Sequence, residues 1–536
     1  MKQAATALPK FAPYLALVAS VFLAYSNVFD GQFVFDDEML IVNNALIRSW
    51  HSLGAIFWSS STAGIGGNDL FYRPLQTLLY LLLYKDFGLT PEPFHFLNVA
   101  LHATNAGLLY AFGVRLGFRP VAVFLAVLIW ALHPVQTEAI AYMSATADPL
   151  YTCFSMFGLL VLLPDFAPRK FCVACIFYAL ALLTKETAVL FPLLALVCMF
   201  LASKKRSDPR FYLRVWPLLV VTTAYLLLRH FVLGKGYAFY AQPNIYTEHI
   251  LYRFYTFLAT LPDYAKTLLW PSQLYIDHNF PVYVDLRHEK TIAGAAIIVT
   301  ALGQIAWGRG KRGLPLSFGL LWFGAAYFLN TGILLPVNAF FLEHWMYLPT
   351  AGLFLGISQS LSDWLEKHPP FFTRATAVLA LIVALGFGAR TYAQNAVWHD
   401  PISLYSHILS SGGQSARAHN NLGNAYLARG DIAPAITEFR AAIALSDSYA
   451  QAHHNLAIAL LAQPERGREN VDEAITELWR ALALDPNFFQ SYELLANIYA
   501  WRNEHAREAD YRAKDIEIRK KLGIPLDEYK QPVLTH

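Results

Sequence analysis

Apolar residues in this chain come in long runs, not in the short alternations of a soluble domain. A helix crosses hydrocarbon with about 20 apolar residues. Runs of nearly that length lie near 12–29, 95–114, 120–134, 149–164, 171–184, 187–202, 215–232, 291–307, 314–331, 345–362 and 374–391. The pattern predicts an all-α polytopic membrane protein with about eleven transmembrane helices. The stretch 251–270 is half apolar but interrupted by Arg253, Asp263 and Lys266, so it is expected to lie at the interface or re-enter. The first run lacks a convincing small-residue cleavage site and leads into a charged, aromatic loop, so it reads as a retained span.

Basic residues in short loops orient such a chain. They cluster at Arg115/Arg119, Arg169/Lys170, Lys204-Lys205-Arg206 with Arg210/Arg214, Arg309/Lys311/Arg312 and Lys367/Arg374. With those loops cytoplasmic, the amino terminus is inside, and the loops 30–94, 135–148, 233–290 and 332–344 are outside. The carboxyl-terminal part then also lies outside, which in a bacterial inner membrane is the periplasm.

Composition agrees with lipid as solvent. Only 15% of the 536 residues are charged, against about 25% in soluble proteins. The net charge of +3 gives no case for nucleic acid as a partner. All four cysteines fall in apolar stretches and are expected to be buried structural residues; Cys172 and Cys175 lack the second ligand pair of a zinc site.

After Trp398 the chain becomes alanine-rich, polar and periodic, which divides it into a membrane domain (1–397) and a second domain (398–536). "SARAHNNLGNAYLARGDIAPAITEFRAAIALSDS" aligns with "YAQAHHNLAIALLAQ…VDEAITELWRALALDPN" and with "FFQSYELLANIYAWRNEHAREADYR". These copies resemble the tetratricopeptide repeat of about 34 residues. Leu422, Gly423, Tyr426, Ala435, Phe439 and Ala442 fit the first copy, and Leu456, Ala474, Leu478, Ala481 and Pro486 the second. An insertion occupies Pro464–Asn470, and the third copy keeps Leu495, Ala496 and Tyr499. A helical solenoid with a protein-binding surface is expected.

Several ionisable residues fall where a membrane domain would not keep them without use. "GQFVFDDEMLIVNN" places Asp36, Asp37 and Glu38 just beyond a helix end, where clustered carboxylates include a candidate base. "FYRPLQTLLYLLLYKDFG" begins an apolar helix with Arg73 and Pro74, expected to lie along the bilayer. "FHFLNVALHATNAGLLY" sets His95, Asn98, His102 and Asn105 on one helix face, which should meet a cavity or another helix. "HPVQTEAIAYMSATADPL" supplies His133, Glu138 and Asp148; "LLTKETAVLFP" supplies Lys185 and Glu186; "FFLEHWMYLP" supplies Glu343 and His344. Any one of these reads equally as an interfacial ion pair or an aromatic belt. All fall on one side of the membrane.

In that order, and with "LLPVNAFFLEHWMYLP" and "NAVWHDPISLY" before the repeats, these motifs resemble the transmembrane and tetratricopeptide repeat-containing O-mannosyltransferases. The likeness covers essentially the whole chain. That family is similar to the GT-C glycosyltransferases, which take a sugar from a polyprenyl-phosphate carrier at the outer or luminal face. The resemblance implies an acidic base in the first outer loop, Asp36 or Asp37, with Asp36 preferred. It implies basic residues that neutralise the departing lipid phosphate, for which Arg73, Lys185 and Arg253 suit. His102, Glu138, Asp148, Glu343 and His344 are candidates for binding sugar or acceptor. The implied partners are a polyprenyl-phosphate sugar donor, a Ser/Thr-bearing acceptor protein recruited by the repeats, and membrane lipid. No cofactor is required by this reading. A divalent metal is compatible with it, though no dedicated ligand set is evident and no metal residue is assigned. The chain departs from the animal members in its few repeats and in having His344 where arginine is expected.

Two other readings compete. An O-antigen-ligase-like transferase would rely on arginines and a histidine of a late outer loop, and would survive loss of both Asp36 and Asp37. A non-enzymatic assembly factor would recruit partners through its repeats and would bind no lipid phosphate. A transporter is third, without the repeat symmetry of that class.

Overall fold

Prolines mark where the long helices start. Ala12–Ala24, Pro74–Phe87, Pro91–Arg115, Pro120–Leu132, Pro168–Leu182, Trp216–Leu233 and Pro370–Asn395 each carry proline in their first two positions. There its missing N–H is not needed, and its fixed φ already suits the helix. Gly234, at φ +58°, closes Trp216–Leu233 in the left-handed conformation.

The computed structural model describes residues 11–522 apart from 68–69, 164, 203–208, 235–243, 277, 279, 309–313 and 465–466. The basic clusters Lys204-Lys205-Arg206 and Arg309/Lys311/Arg312, and part of the insertion Pro464–Asn470, therefore lie outside the described residues. The chain is all-α: helices and short 3-10 or π turns account for its regular structure, and no strand occurs among the described residues. It divides into two compact units, Met1–His399 and Asp400–His536.

The first unit is that of a multi-pass membrane protein. By length and apolarity, four of its helices among the described residues can cross a bilayer: Met143–Leu162, Arg210–Leu233, Glu289–Trp307 and Pro370–Trp398. The pair Pro120–Leu132 and Pro134–Ala141, bent by 54°, makes a fifth if taken together. Ala12–Val28 and Glu186–Leu201 are shorter apolar helices at other expected spans. Length and composition alone do not make crossings of the rest. Pro91–Arg115 is long enough but carries the polar stripe, and Ile250–Leu269 carries the charges that set it apart in the sequence.

Close helix pairs hold this unit together. A side chain on Gly356 would meet the Pro315 carbonyl at 2.5 Å, and one on Gly294 would meet that of Leu258 at 1.9 Å. Small residues let backbones approach where lipid supplies no hydrophobic drive between helices. Gly294→Val should push Ile250–Leu269 away from Glu289–Trp307, a cost of about 1–3 kcal/mol or more. A lower melting temperature of the detergent-solubilised protein would register it; an unchanged one would refute the close packing.

Two of the cysteines differ from expectation. Cys153 and Cys198 are buried, but Cys172 is exposed and Cys175 half-buried on Pro168–Leu182. An apolar run predicts exclusion from water, and hydrocarbon satisfies that as well as a protein core does.

The second unit is a helical solenoid running from Pro401–Ser410 to His505–Leu522. Ser415 caps Ala416–Arg429 by accepting from Ala418 N, and Gly430 at φ +90° ends that helix. Gly423 lets the Phe439 ring press on the paired helix. Phe439, Leu456, Ala474, Leu478 and Leu495 continue the core across the repeats. The third copy is a complete pair, Phe489–Trp501 with His505–Leu522. Arg519 is buried near the end of its second helix, bound to Glu493 (2.8 Å) and Asp515 (2.7 Å).

Candidate active site

The polar stripe of Pro91–Arg115 anchors a segment some forty residues further along the chain. Asn98 donates to the carbonyls of Ile140 (3.2 Å) and Tyr142 (3.1 Å) and accepts from Thr146 (2.6 Å). Asn105 donates to the Pro149 carbonyl at 2.8 Å. The segment 134–149 is thereby pinned with every residue buried. His102 belongs to this scaffold: its Nε2 donates to the Ala131 carbonyl (2.9 Å), so Nδ1 accepts from the Tyr347 hydroxyl (2.7 Å). It packs helices and is not on the wall of the cavity that Asp36 lines.

Onto this pinned segment the first loop is clamped. Asp37 is fully buried and its carboxylate accepts from Val34 N (2.9 Å), Ser144 N (2.7 Å) and Ser144 Oγ (2.6 Å). Just before it, Phe35 takes φ +54°, a conformation costing a non-glycine residue about 1–3 kcal/mol and typically kept at working sites. Clamp and turn together set Asp36, between them, on the wall of a cavity of about 680 Å³. The two neighbouring acids have separate jobs: Asp37 holds, Asp36 faces the space.

Burial pushes the Asp37 pKa up to about 7, while the Ser144 and Val34 donors pull the other way. In the unfolded chain an aspartate titrates near 4. Between about pH 4 and 7 the folded protein therefore holds a proton that the unfolded one has lost, so Asp37's contribution weakens as pH rises through that window. Melting temperatures measured across it should fall less steeply in Asp37→Asn than in the natural protein; parallel curves would contradict the assignment.

The same cavity is lined by Arg73, Asp148, Lys185, Glu186, Arg229 and His344, with an apolar remainder that includes Leu226, Leu329 and Trp345. Arg73 grips Glu186 with two bonds, Nη2 to Oε1 at 2.7 Å and Nε to Oε2 at 3.1 Å. Lys185 Nζ reaches both oxygens of Asp148 at 2.7 Å. His344 donates Nδ1–H to buried Glu138 at 2.6 Å, and Glu138 also accepts from the N–H of Glu343 (2.7 Å) and of His344 (3.2 Å). Glu138 thus orients the ring, leaving Nε2 as the nitrogen that it does not engage. Cations held this way can meet a phosphate with fixed, charge-assisted donors.

Glu138 is itself not on the cavity wall, and two further expected residues also lie elsewhere. Arg253 is not on the cavity wall; its guanidinium donates to the Leu334 carbonyl at 3.3 Å. Glu343 turns away from the cavity and accepts from Tyr275 N at 3.0 Å. Burial, then the adjacent Glu138 carboxylate, hold its pKa well above the usual carboxylate range. Among the described residues no three of His, Cys, Asp and Glu come together as a metal site would need.

A TPR repeat family model matches residues 423–463. Over 455 residues the chain is 28% identical to a protein O-mannosyl-transferase of Caenorhabditis elegans, covering 82% of this chain and 63% of that protein. It is 26% identical over 499 residues to protein O-mannosyl-transferase TMTC4 of Mus musculus, covering 81% and 66%. The chain is related to the protein O-mannosyl-transferases. It spans just under two thirds of the length of these relatives. Among solved structures, ArnT from Cupriavidus metallidurans bound to undecaprenyl phosphate matches with a TM-score of 0.38 at 13% identity, covering 90% of this chain and 81% of that one.

The cavity also has residues that sequence reading passed over. Arg229 is buried, lines the wall and donates to the Leu70 carbonyl at 2.7 Å. A lone arginine in "TTAYLLLRHFVL" is the signal that could have found it, since charge inside an apolar helix marks use. Ser144 and Tyr142 carry no such mark; both line the wall, Ser144 holding Asp37, and Tyr142 hydrogen-bonding Asp36 and stacking on Trp398, centroids 5.3 Å apart.

Proposed function

We propose that this chain is a glycosyltransferase that moves a sugar from a polyprenyl-phosphate carrier to serine or threonine hydroxyls of a protein. The observation that carries the reading is one cavity lined by Asp36 together with Arg73, Lys185 and Arg229. The names of its relatives supply the reaction class. The basic loops favour a cytoplasmic amino terminus, with the cavity and the repeats at the periplasmic or luminal face. The repeats recruit the acceptor.

The reaction is a single displacement. The acceptor oxygen attacks the anomeric carbon and its proton passes to Asp36. The bond from that carbon to the phosphate oxygen breaks, and the electron pair leaves with the polyprenyl phosphate. Arg73, Lys185, Arg229 and Nε2 of His344 receive the developing charge, as fixed donors at a departing oxyanion do. One displacement inverts the anomeric centre. Arg229 takes the place that the sequence reading gave to Arg253.

Intact masses of secreted and envelope proteins, compared with and without this chain, test the proposal. At least one protein should lose a hexose-sized increment when the gene is deleted and regain it on complementation. Masses that do not change would end the reading.

A further inference from the structure

A second cavity of about 320 Å³ lies in the membrane unit and shares no residue with the first. We propose that this cavity, walled by Asp263, Trp270, Tyr275, His278 and Lys290, binds a hexose unit.

Its size falls at the lower end of the 300–1,000 Å³ of small-ligand sites. Its chemistry alternates ring faces with hydrogen-bonding groups. Trp270 stands at the rim, 72% exposed. The Tyr275 ring and the His278 imidazole lie 3.8 Å apart, and Phe280 and Phe341 complete the apolar surface. A pyranose has the matching form, with an apolar C–H face and a rim of hydroxyls. The polar groups suit a neutral ligand. Lys290 and Asp263 pair at 2.8 Å while remaining 39% and 30% exposed, so their charges cancel yet lone pairs and N–H groups stay accessible. Lys266 donates to Gln273 Oε1 at 3.3 Å. A phosphate would find no such concentration of cations here as in the first cavity.

The two cavities back onto one stretch of chain. Phe341 faces the second, while Leu342, His344 and Trp345 face the first. Between them, Glu343 accepts from Tyr275 N and lies 3.8 Å from His278 Nε2, and its own N–H donates to the Glu138 that orients His344. The two cavities therefore have the segment 341–345 as a common wall. Hexose binding in the second requires no transfer chemistry and can be measured without it.

The test uses purified full-length protein in detergent, with methyl α-D-mannopyranoside and methyl α-D-glucopyranoside as probes in saturation-transfer NMR. At least one glycoside should receive saturation. Trp270→Ala and Asp263→Asn should each weaken that binding tenfold or more, and Trp270→Phe should retain most of it. Trp270 is exposed, so melting temperatures of its variants should match the natural protein. The proposal is overturned if neither glycoside binds, if Trp270→Ala leaves binding intact, or if Asp36→Asn abolishes binding while Trp270→Ala does not, which would place the sugar in the first cavity. It also fails if an unglycosylated serine/threonine peptide or inorganic phosphate displaces the probe and Trp270→Ala weakens that competitor instead.

Discussion

Asp36→Asn should lower sugar transfer by about 10²–10⁴, the usual worth of a positioned general base, with the protein still inserted at normal abundance. Its side chain faces a cavity and accepts a hydrogen bond from Tyr142, which the asparagine amide oxygen can also accept, so the melting temperature should change little. Asp37→Asn should behave differently. It keeps the size of the clamp but weakens its hold on Ser144, so activity and melting temperature should both fall. Transfer assays on the two variants, each paired with a thermal melt, separate base from support. Full activity in Asp36→Asn would remove the displacement mechanism, and activity surviving both substitutions would favour the ligase-like alternative.

The second large effect is on folding. Lys185 and Asp148 are 6% and 5% exposed and bind each other through both carboxylate oxygens. Removing one member of such a pair leaves a buried charge with its main partner gone, which costs about 3–5 kcal/mol, whereas replacing both groups is often close to neutral. Lys185→Met should therefore reduce the yield of detergent-stable protein severely. Lys185→Met with Asp148→Asn should recover much of the stability while remaining poor at transfer. If the double variant is as unstable as the single one, the pair does not act as a unit.

The helical class and the start of the repeats were legible because apolar runs and repeated small residues are local signals, carried by segments such as 374–391 and by Leu422, Gly423 and Phe439. The candidate site was legible in its charged members, since Asp36, Arg73, Lys185 and His344 stand out against an apolar background. Their partners were not. Nothing in the sequence joins Asp37 to Ser144, 107 positions away, or Arg73 to Glu186, 113 positions away. Nor could spacing distinguish a buried packing histidine such as His102 from a ligand-facing one, because both sit on a polar helix face. Arg253 stood among charges that did mark an unusual helix, but that helix belongs to the wall of the second cavity through Asp263 and Lys266.

The pairing of Arg73, Lys185 and His344 with Glu186, Asp148 and Glu138 has a consequence for turnover. At rest these basic groups are already neutralised, so stray anions from solution gain little by entering. On the proposed reaction, a carrier would instead be drawn in by its hydrocarbon tail, and its phosphate would then compete with the resident acids. The spent carrier, a phosphate monoester more negative than the donor, would be held more tightly by the same cations, and the resident acids would oppose that hold by recapturing their partners. The arrangement that keeps the vestibule quiet when idle would thus also temper the grip on the product of the proposed reaction.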